Sequence, residues 1–189
     1  MQKILELDAR LSRQMRVAER PGWLRSLAAL LAHSGDSWFW LVGLALVWWL
    51  GSPYWRDLAL VMALGILVTA LVVMAIKFTV RRRRPEGEWG NIYRSTDPHS
   101  FPSGHAARAM MLAVLAIALG PTWFGAVLLV WAVCVSLARV AMGVHYLSDV
   151  LAGMFFGLVM GGMILVLLPE AWIPTAVASS RIHASIVSR

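Results

Sequence analysis

What most constrains this chain is its apolar runs, at 37–50, 57–80, 103–120, 122–138 and 146–168. Several approach or exceed the ~18–20 residues that carry a helix across a bilayer. A chain that is 59% hydrophobic and only 14% charged is far from an ordinary soluble domain. It is read as a multi-pass integral protein of the cell membrane. The expected fold is all-α, a polytopic membrane helical bundle of about five to six spans plus an N-terminal amphipathic interfacial helix. The first span is short and could borrow a turn from the preceding apolar segment 24–32, which His33-Ser34-Gly35-Asp36 breaks. Upstream, Ile4, Leu7, Leu11, Met15 and Ala18 recur at helical spacing among basic residues, which predicts a helix lying on the membrane surface. Three regions result: an interfacial segment 1–36, a membrane domain 37–168 and a tail 169–189. In the last span Gly153, Gly157 and Gly161 repeat every fourth residue, so a neighbouring helix is expected to approach closely there.

The net charge of +7 does not indicate nucleic acid, because the basic side chains cluster at span ends, where anionic head groups attract them. The bilayer itself is the expected partner. The single cysteine, Cys134, sits in an apolar run and excludes an intrachain disulfide. The span middles carry no ionisable side chain, which disfavours a transporter or proton pump. Instead Lys77, Arg84, Ser103, His105, Arg108, Arg139, His145 and Asp149 all fall at one face of the bundle, where a lipid head group sits.

Two short stretches supply these residues. In 77–105, Lys77 and Arg84 stand seven apart, two helical turns or about 10 Å along an axis, and Pro85 predicts a helix end at Arg84. Arg81, Arg82 and Arg83 are read as a juxtamembrane run touching anionic lipid. Pro102-Ser103-Gly104-His105 opens a helix whose serine cap, close-approach glycine and free amides favour an anion. In 139–149, His145 and Asp149 share a helix face, so the carboxylate is expected to accept a hydrogen bond from the ring and leave its other nitrogen free. Arg139 adds a third cation. Asp97, His99, His105, His145 and Asp149 are suitable metal ligands by type. Three or more cations in the same pocket would repel a divalent ion, so no metal is expected. Substrate choice is expected within 86–101, through Trp89, Tyr93 or Arg94.

Together these motifs resemble the type 2 phosphatidic acid phosphatase family, whose site is related to that of vanadium haloperoxidases. The family pattern runs Lys, six residues, Arg-Pro; Pro-Ser-Gly-His; and Ser-Arg, five residues, His, three residues, Asp. Here it reads Lys77 to Arg84-Pro85, Pro102-Ser103-Gly104-His105, and Ala138-Arg139 to His145 to Asp149. Spacing is kept throughout, and Ala138 alone departs, standing where serine is frequent. The resemblance implies a lipid phosphate phosphatase with His145 as nucleophile, passing through a phosphohistidine. It further implies that Asp149 orients His145, that His105 protonates the leaving group, and that Lys77, Arg84, Ser103, Gly104 and Arg139 hold the phosphoryl oxygens. No cofactor is implied, and activity is expected to be metal-independent. Phosphatidic acid, phosphatidylglycerol phosphate and polyprenyl diphosphates such as the undecaprenyl carrier are the candidate substrates. A lipid phosphotransferase on the same site, or a non-catalytic lipid-phosphate-binding protein, are the alternatives.

Overall fold

In a computed structural model of the chain, residues 2–87, 89, 97–169 and 172 are described. Tyr93, Arg94 and the tail beyond Pro169, Trp172 apart, lie outside them. Seven helices occur among the described residues: α1 (Gln2–Gln14), α2 (Trp23–Ser34), α3 (Ser37–Leu50), α4 (Pro53–Val80), α5 (Gly104–Leu119), α6 (Thr122–Ala141) and α7 (Leu147–Leu167). The fold is all-α, and α3 to α7 occupy the positions of the five expected spans, although only three of them are long and apolar enough to cross a membrane singly. By length and apolar content α4, α6 and α7 are long enough to cross a membrane, and α2 and α3, bent by 58° at their break, would pass that test only as a pair. At 16 residues α5 is shorter, about 24 Å at 1.5 Å per residue.

Helix α5 is the axis of the bundle. From Ala106 to Leu119 most of its side chains are buried, and small ones dominate the first turns: Ala106, Ala107, Ala109 and Ala113. Small residues let backbones approach, the main source of helix association where lipid removes the hydrophobic drive. The glycines of α7 complete the fit. A Cβ at Gly153 would lie 2.5 Å from the Ser103 carbonyl oxygen, one at Gly161 would lie 2.7 Å from Val114, and one at Gly157 would run into the Ala107 carbonyl oxygen. Gly157→Ala should therefore cost about 3 kcal/mol, the upper end for overpacking, because the obstacle is backbone. Thermal unfolding in detergent checks this against Gly162→Ala, where a Cβ meets nothing within 4 Å and no loss is expected.

The outward faces carry large apolar side chains such as Leu71, Phe155 and Val166, as a lipid-facing surface requires. On α1, Ile4, Leu5, Leu7 and Leu11 are exposed, in keeping with a helix that lies on a membrane surface. Its opposite face is tied to the bundle. Ser12 Oγ accepts from the Leu147 amide at 2.9 Å and Asp8 Oδ1 from the Ser148 amide at 3.0 Å. Two orphan donors at the start of α7 are thus capped by side chains of α1, far away in sequence.

The polar stretch differs from expectation at one point. Helix α4 ends at Val80, not at Arg84. Arg81 adopts a left-handed conformation (φ 53°) and its amide closes on the Lys77 carbonyl at 2.9 Å. Beyond it, Arg83 forms an isolated bridge with His99, and the Ser100 amide donates to the Arg82 carbonyl at 2.8 Å. Lys77 and Arg84 therefore do not share a helix face. The chain turns back over the end of α4 and delivers Arg84 from the loop.

Candidate active site

Arg84 is the hub. Its side chain is buried, and a buried guanidinium must spend its donors on acceptors. Nε donates to the Asp97 carbonyl at 2.6 Å and Nη2 to Asp97 Oδ2 at 2.8 Å. Nη1 donates to the Val144 carbonyl at 2.8 Å and lies 3.2 Å from His145 Nε2. Lys77, buried near the end of α4, pairs with the same Oδ2 of Asp97. Two cations from different elements thus converge on one carboxylate oxygen. Burial alone would raise the Asp97 carboxyl, but Lys77 and Arg84 outweigh it and hold the group below the usual carboxylate range. The arrangement is a two-cation anion clamp with an internal carboxylate in it.

His145 sits in the turn between α6 and α7, where Gly143 takes φ +67°. The ring is buried. Because arginine can only donate, the contact to Arg84 Nη1 assigns the lone pair to Nε2 and the proton to Nδ1. Burial first, then Arg139 and Arg84, lower the ring's pKa to about 3 despite the opposing carboxylate of Asp149. The imidazole is therefore neutral near pH 7, with its unprotonated nitrogen turned toward the clamp. As pH falls from 6.5 toward 3 the unfolded chain binds a proton that the fold excludes, so this residue lowers stability on acidification.

Asp149 is close to His145 but not hydrogen-bonded to it. Nδ1 lies 3.7 Å from Asp149 Oδ2, beyond hydrogen-bond range. The carboxylate is already engaged: Oδ2 accepts from the Tyr146 amide at 2.9 Å, and Oδ1 from Arg82 Nη1 at 2.7 Å. Arg82 also donates to Ser148 Oγ and to Asp8 Oδ2, both at 2.7 Å, and its guanidinium lies 4.1 Å from the Tyr146 ring centre. The reading of Arg82 as a lipid contact is thus corrected. It is partly buried because the turn after Arg81 points it inward, and it joins Asp149 to α1. Arg81 and Arg83 remain exposed. Arg82→Gln should lower kcat on the order of 10-fold, the scale of one charged hydrogen bond, with KM changed less. Steady-state kinetics on the purified variant checks it.

The Pro-Ser-Gly-His motif opens α5 as expected. Ser103 Oγ accepts from the Ala106 amide at 3.5 Å, and the Ser103 amide donates to the Asp149 carbonyl at 2.9 Å, which ties the motif to α7. His105 Nε2 lies 2.7 Å from Asp36 Oδ1. Asp36 stands at the break between α2 and α3, and its side chain makes no cap hydrogen bond there. A Cβ on the preceding Gly35 would come 3.1 Å from the His105 ring and 2.9 Å from Val135. Only glycine lets the break pass that close. Arg139 is buried in the last turn of α6. His99, from the metal-ligand alternatives, stacks edge-on against Phe78 at 5.7 Å instead. Trp89 packs with α2 residues and lies 6.1 Å from the His33 ring.

Three residues of this network escaped the sequence. Asp36 sat inside a helix-breaking run and gave no further signal. Asp8 lies on the amphipathic helix α1, where nothing in the sequence separates it from any solvated polar position. Asp97 was visible only as a possible ligand, although an acid near two clamp cations could have been suspected from charge alone. Beside Arg84 a cavity of about 860 Å³ opens to the surface, lined by Arg13, Arg16, Arg83 and Tyr146 among others.

A helical membrane bundle with an anion clamp and a neutral buried imidazole at one end defines a class: integral membrane proteins that act on phosphate at the bilayer surface. Residues 55–173 match the PAP2 superfamily, and the chain belongs to that superfamily of membrane lipid phosphatases. It is 33% identical over 153 residues to a decaprenylphosphoryl-5-phosphoribose phosphatase of Mycobacterium tuberculosis, covering 80% of this chain and 84% of that one. It is 30% identical over 140 residues to the putative undecaprenyl-diphosphatase YbjG of Escherichia coli, covering 72% and 70%. Its fold is similar, with a TM-score of 0.72, 24% identity and 90% of each chain covered, to the crystal structure of a transmembrane PAP2-type phosphatidylglycerolphosphate phosphatase from Bacillus subtilis.

Proposed function

We propose that this protein hydrolyses a lipid phosphate or polyprenyl diphosphate through a phosphohistidine at His145, without a metal ion. One observation carries the reading: His145 Nε2, bearing the lone pair, lies 3.2 Å from Arg84, whose other donors grip a carboxylate shared with Lys77. A phosphoryl group that displaced Asp97 would put its oxygens on the same donors and its phosphorus before the nucleophilic nitrogen. Phosphoryl transfer asks chiefly for this positioning and charge stabilisation.

In the proposed reaction Nε2 attacks phosphorus and the bond to the leaving oxygen breaks. Lys77, Arg84 and Arg139, with Ser103 and the Gly104 amide, stabilise the oxygens. His105, whose Nε2–H donates to Asp36, protonates the leaving group from Nδ1 as the imidazolium paired with that carboxylate, and takes the proton back from the water that attacks in the second step. Asp149 faces the imidazolium that forms, a charge that a neighbouring carboxylate stabilises. Water then cleaves the phosphorus–nitrogen bond and releases phosphate. A substrate at this interface presents its head group to the clamp while its tails remain in lipid. The names of the relatives support both monophosphate and diphosphate lipids as substrates.

The test is phosphate release from detergent-solubilised phosphatidic acid, phosphatidylglycerol phosphate and prenyl diphosphates in the presence of chelator. Release from at least one is expected. Activity that vanished with chelator and returned with magnesium would contradict the metal-free reading, and transfer of the phosphoryl group to a second lipid would point to a phosphotransferase.

A further inference from the structure

Arg108 has no part in the mechanism above, yet it lies beside it. It stands three residues after His105 on α5, which places its Cα about 4.5 Å deeper in the bundle. Helical side chains lean toward the N-terminus, and this one folds back over the start of α5. Its Nη1 lies 3.2 Å from where a Cβ on Gly104 would stand, a point that is itself 3.6 Å from Val73 of α4. Gly104 thus leaves room for a guanidinium at the mouth of the phosphoryl site. Arg139, Asp36 and Asp97 are the charged groups within electrostatic reach of it. Among the described residues Arg108 makes no hydrogen bond or salt bridge, and its Nε is buried without an acceptor.

An arginine so placed is costly. A charge inside a membrane bundle is normally paired, and an unpaired one marks a place where a ligand brings the partner. Snorkelling to the head groups would satisfy it, but a buried Nε and a guanidinium folded against Gly104 are not a side chain reaching for bulk lipid. The reacting phosphoryl group already has Lys77, Arg84 and Arg139. Arg108 is a fourth cation, rooted one turn deeper in the bundle and folded back to Gly104, at the edge of the site where a lipid leaving group must lie.

We propose that Arg108 binds the non-reacting phosphate of a diphosphate lipid and so selects diphosphates over monophosphate esters. The inference rests on the phosphatase reading above. In the diphosphate reaction His145 takes the terminal phosphoryl group and the phosphorus–oxygen bond to the bridging oxygen breaks. The leaving lipid monophosphate accepts the proton from His105, and water later releases the bound phosphate. The leaving group then gains negative charge beside Arg108. A monophosphate ester leaves as a neutral alcohol once protonated, and has nothing to offer that guanidinium.

The experiment compares kcat/KM for farnesyl diphosphate and farnesyl monophosphate, which share one tail, in the wild-type protein, Arg108→Gln and Arg108→Lys. The diphosphate-to-monophosphate ratio should fall about 10-fold or more in Arg108→Gln, the scale of one charged hydrogen bond, and less in Arg108→Lys. An unchanged ratio in Arg108→Gln would overturn the proposal. A wild-type measurement stands apart from any variant's folding: inorganic pyrophosphate should inhibit more strongly than orthophosphate, and equal inhibition would overturn the proposal as well. A wild-type protein that releases phosphate from neither substrate would instead sink the phosphatase reading itself.

Discussion

Replacing His145 by alanine is expected to reduce phosphate release by on the order of 10⁴-fold or more, as loss of a covalent nucleophile does in other enzymes, while leaving the fold intact. Both halves of the expectation come from the same contacts. The ring's Nε2 faces Arg84 at 3.2 Å, beside the donors that would hold the phosphoryl oxygens. Yet the ring contributes little to stability through polar contacts, since Nδ1 makes no hydrogen bond and Arg84 Nη1 keeps the Val144 carbonyl at 2.8 Å. The variant should unfold within about 1–2 kcal/mol of the parent. Activity measured beside thermal unfolding in detergent separates the two. Near-normal turnover in a folded His145→Ala protein would show that the nucleophile lies elsewhere.

Arg84→Lys should be almost as damaging, although the charge is kept. One guanidinium reaches the Asp97 carbonyl, Asp97 Oδ2, the Val144 carbonyl and His145 Nε2 at 2.6–3.2 Å. An ammonium has three donors and no planar fork, so it cannot serve these directions at once. The Val144 carbonyl is the backbone neighbour of His145, and losing that bond frees the nucleophile's own turn. A loss of about 10²–10³ in kcat/KM is expected, the scale seen when one donor to a developing negative charge is removed. Stability should fall by about 2–3 kcal/mol, because buried acceptors such as the Val144 carbonyl are left without their donor. The same substitution at exposed Arg83 should change neither quantity appreciably. Kinetics and unfolding of the two variants side by side provide the check.

The span pattern and the three motifs were legible because each depends on local chemistry. Apolar length marks α4, α6 and α7, and the serine cap marks the start of α5. The glycine repeat of α7 was legible too, because only close backbone contact calls for glycine at that spacing. What escaped depends on contacts between distant parts of the chain. Pro85 predicts the last possible residue of α4, but Arg81 ends the helix earlier, because Arg84 is drawn to Val144 and Ser100 pairs back to Arg82. Arg82 looked like any member of a basic run until Asp8 and Asp149 were brought to it across 74 and 67 residues. Asp36 had no local mark that would separate a helix breaker from the partner of His105, 69 residues away. The expected hydrogen bond from His145 to Asp149 failed for a related reason: spacing fixes which residues are neighbours, but not whose donors reach the carboxylate first.

In the proposed reaction His145 Nε2 is the atom that takes the phosphoryl group. The most direct test is a rapid alkaline quench of the purified protein turning over a lipid substrate labelled in the transferred phosphate, followed by peptide mapping. The prediction is a phosphoryl label on His145 at Nε2, formed and lost at rates consistent with turnover and absent from His145→Ala. A label on another residue that kept pace with turnover, or full turnover with no labelled protein under conditions that preserve phosphohistidine, would contradict it.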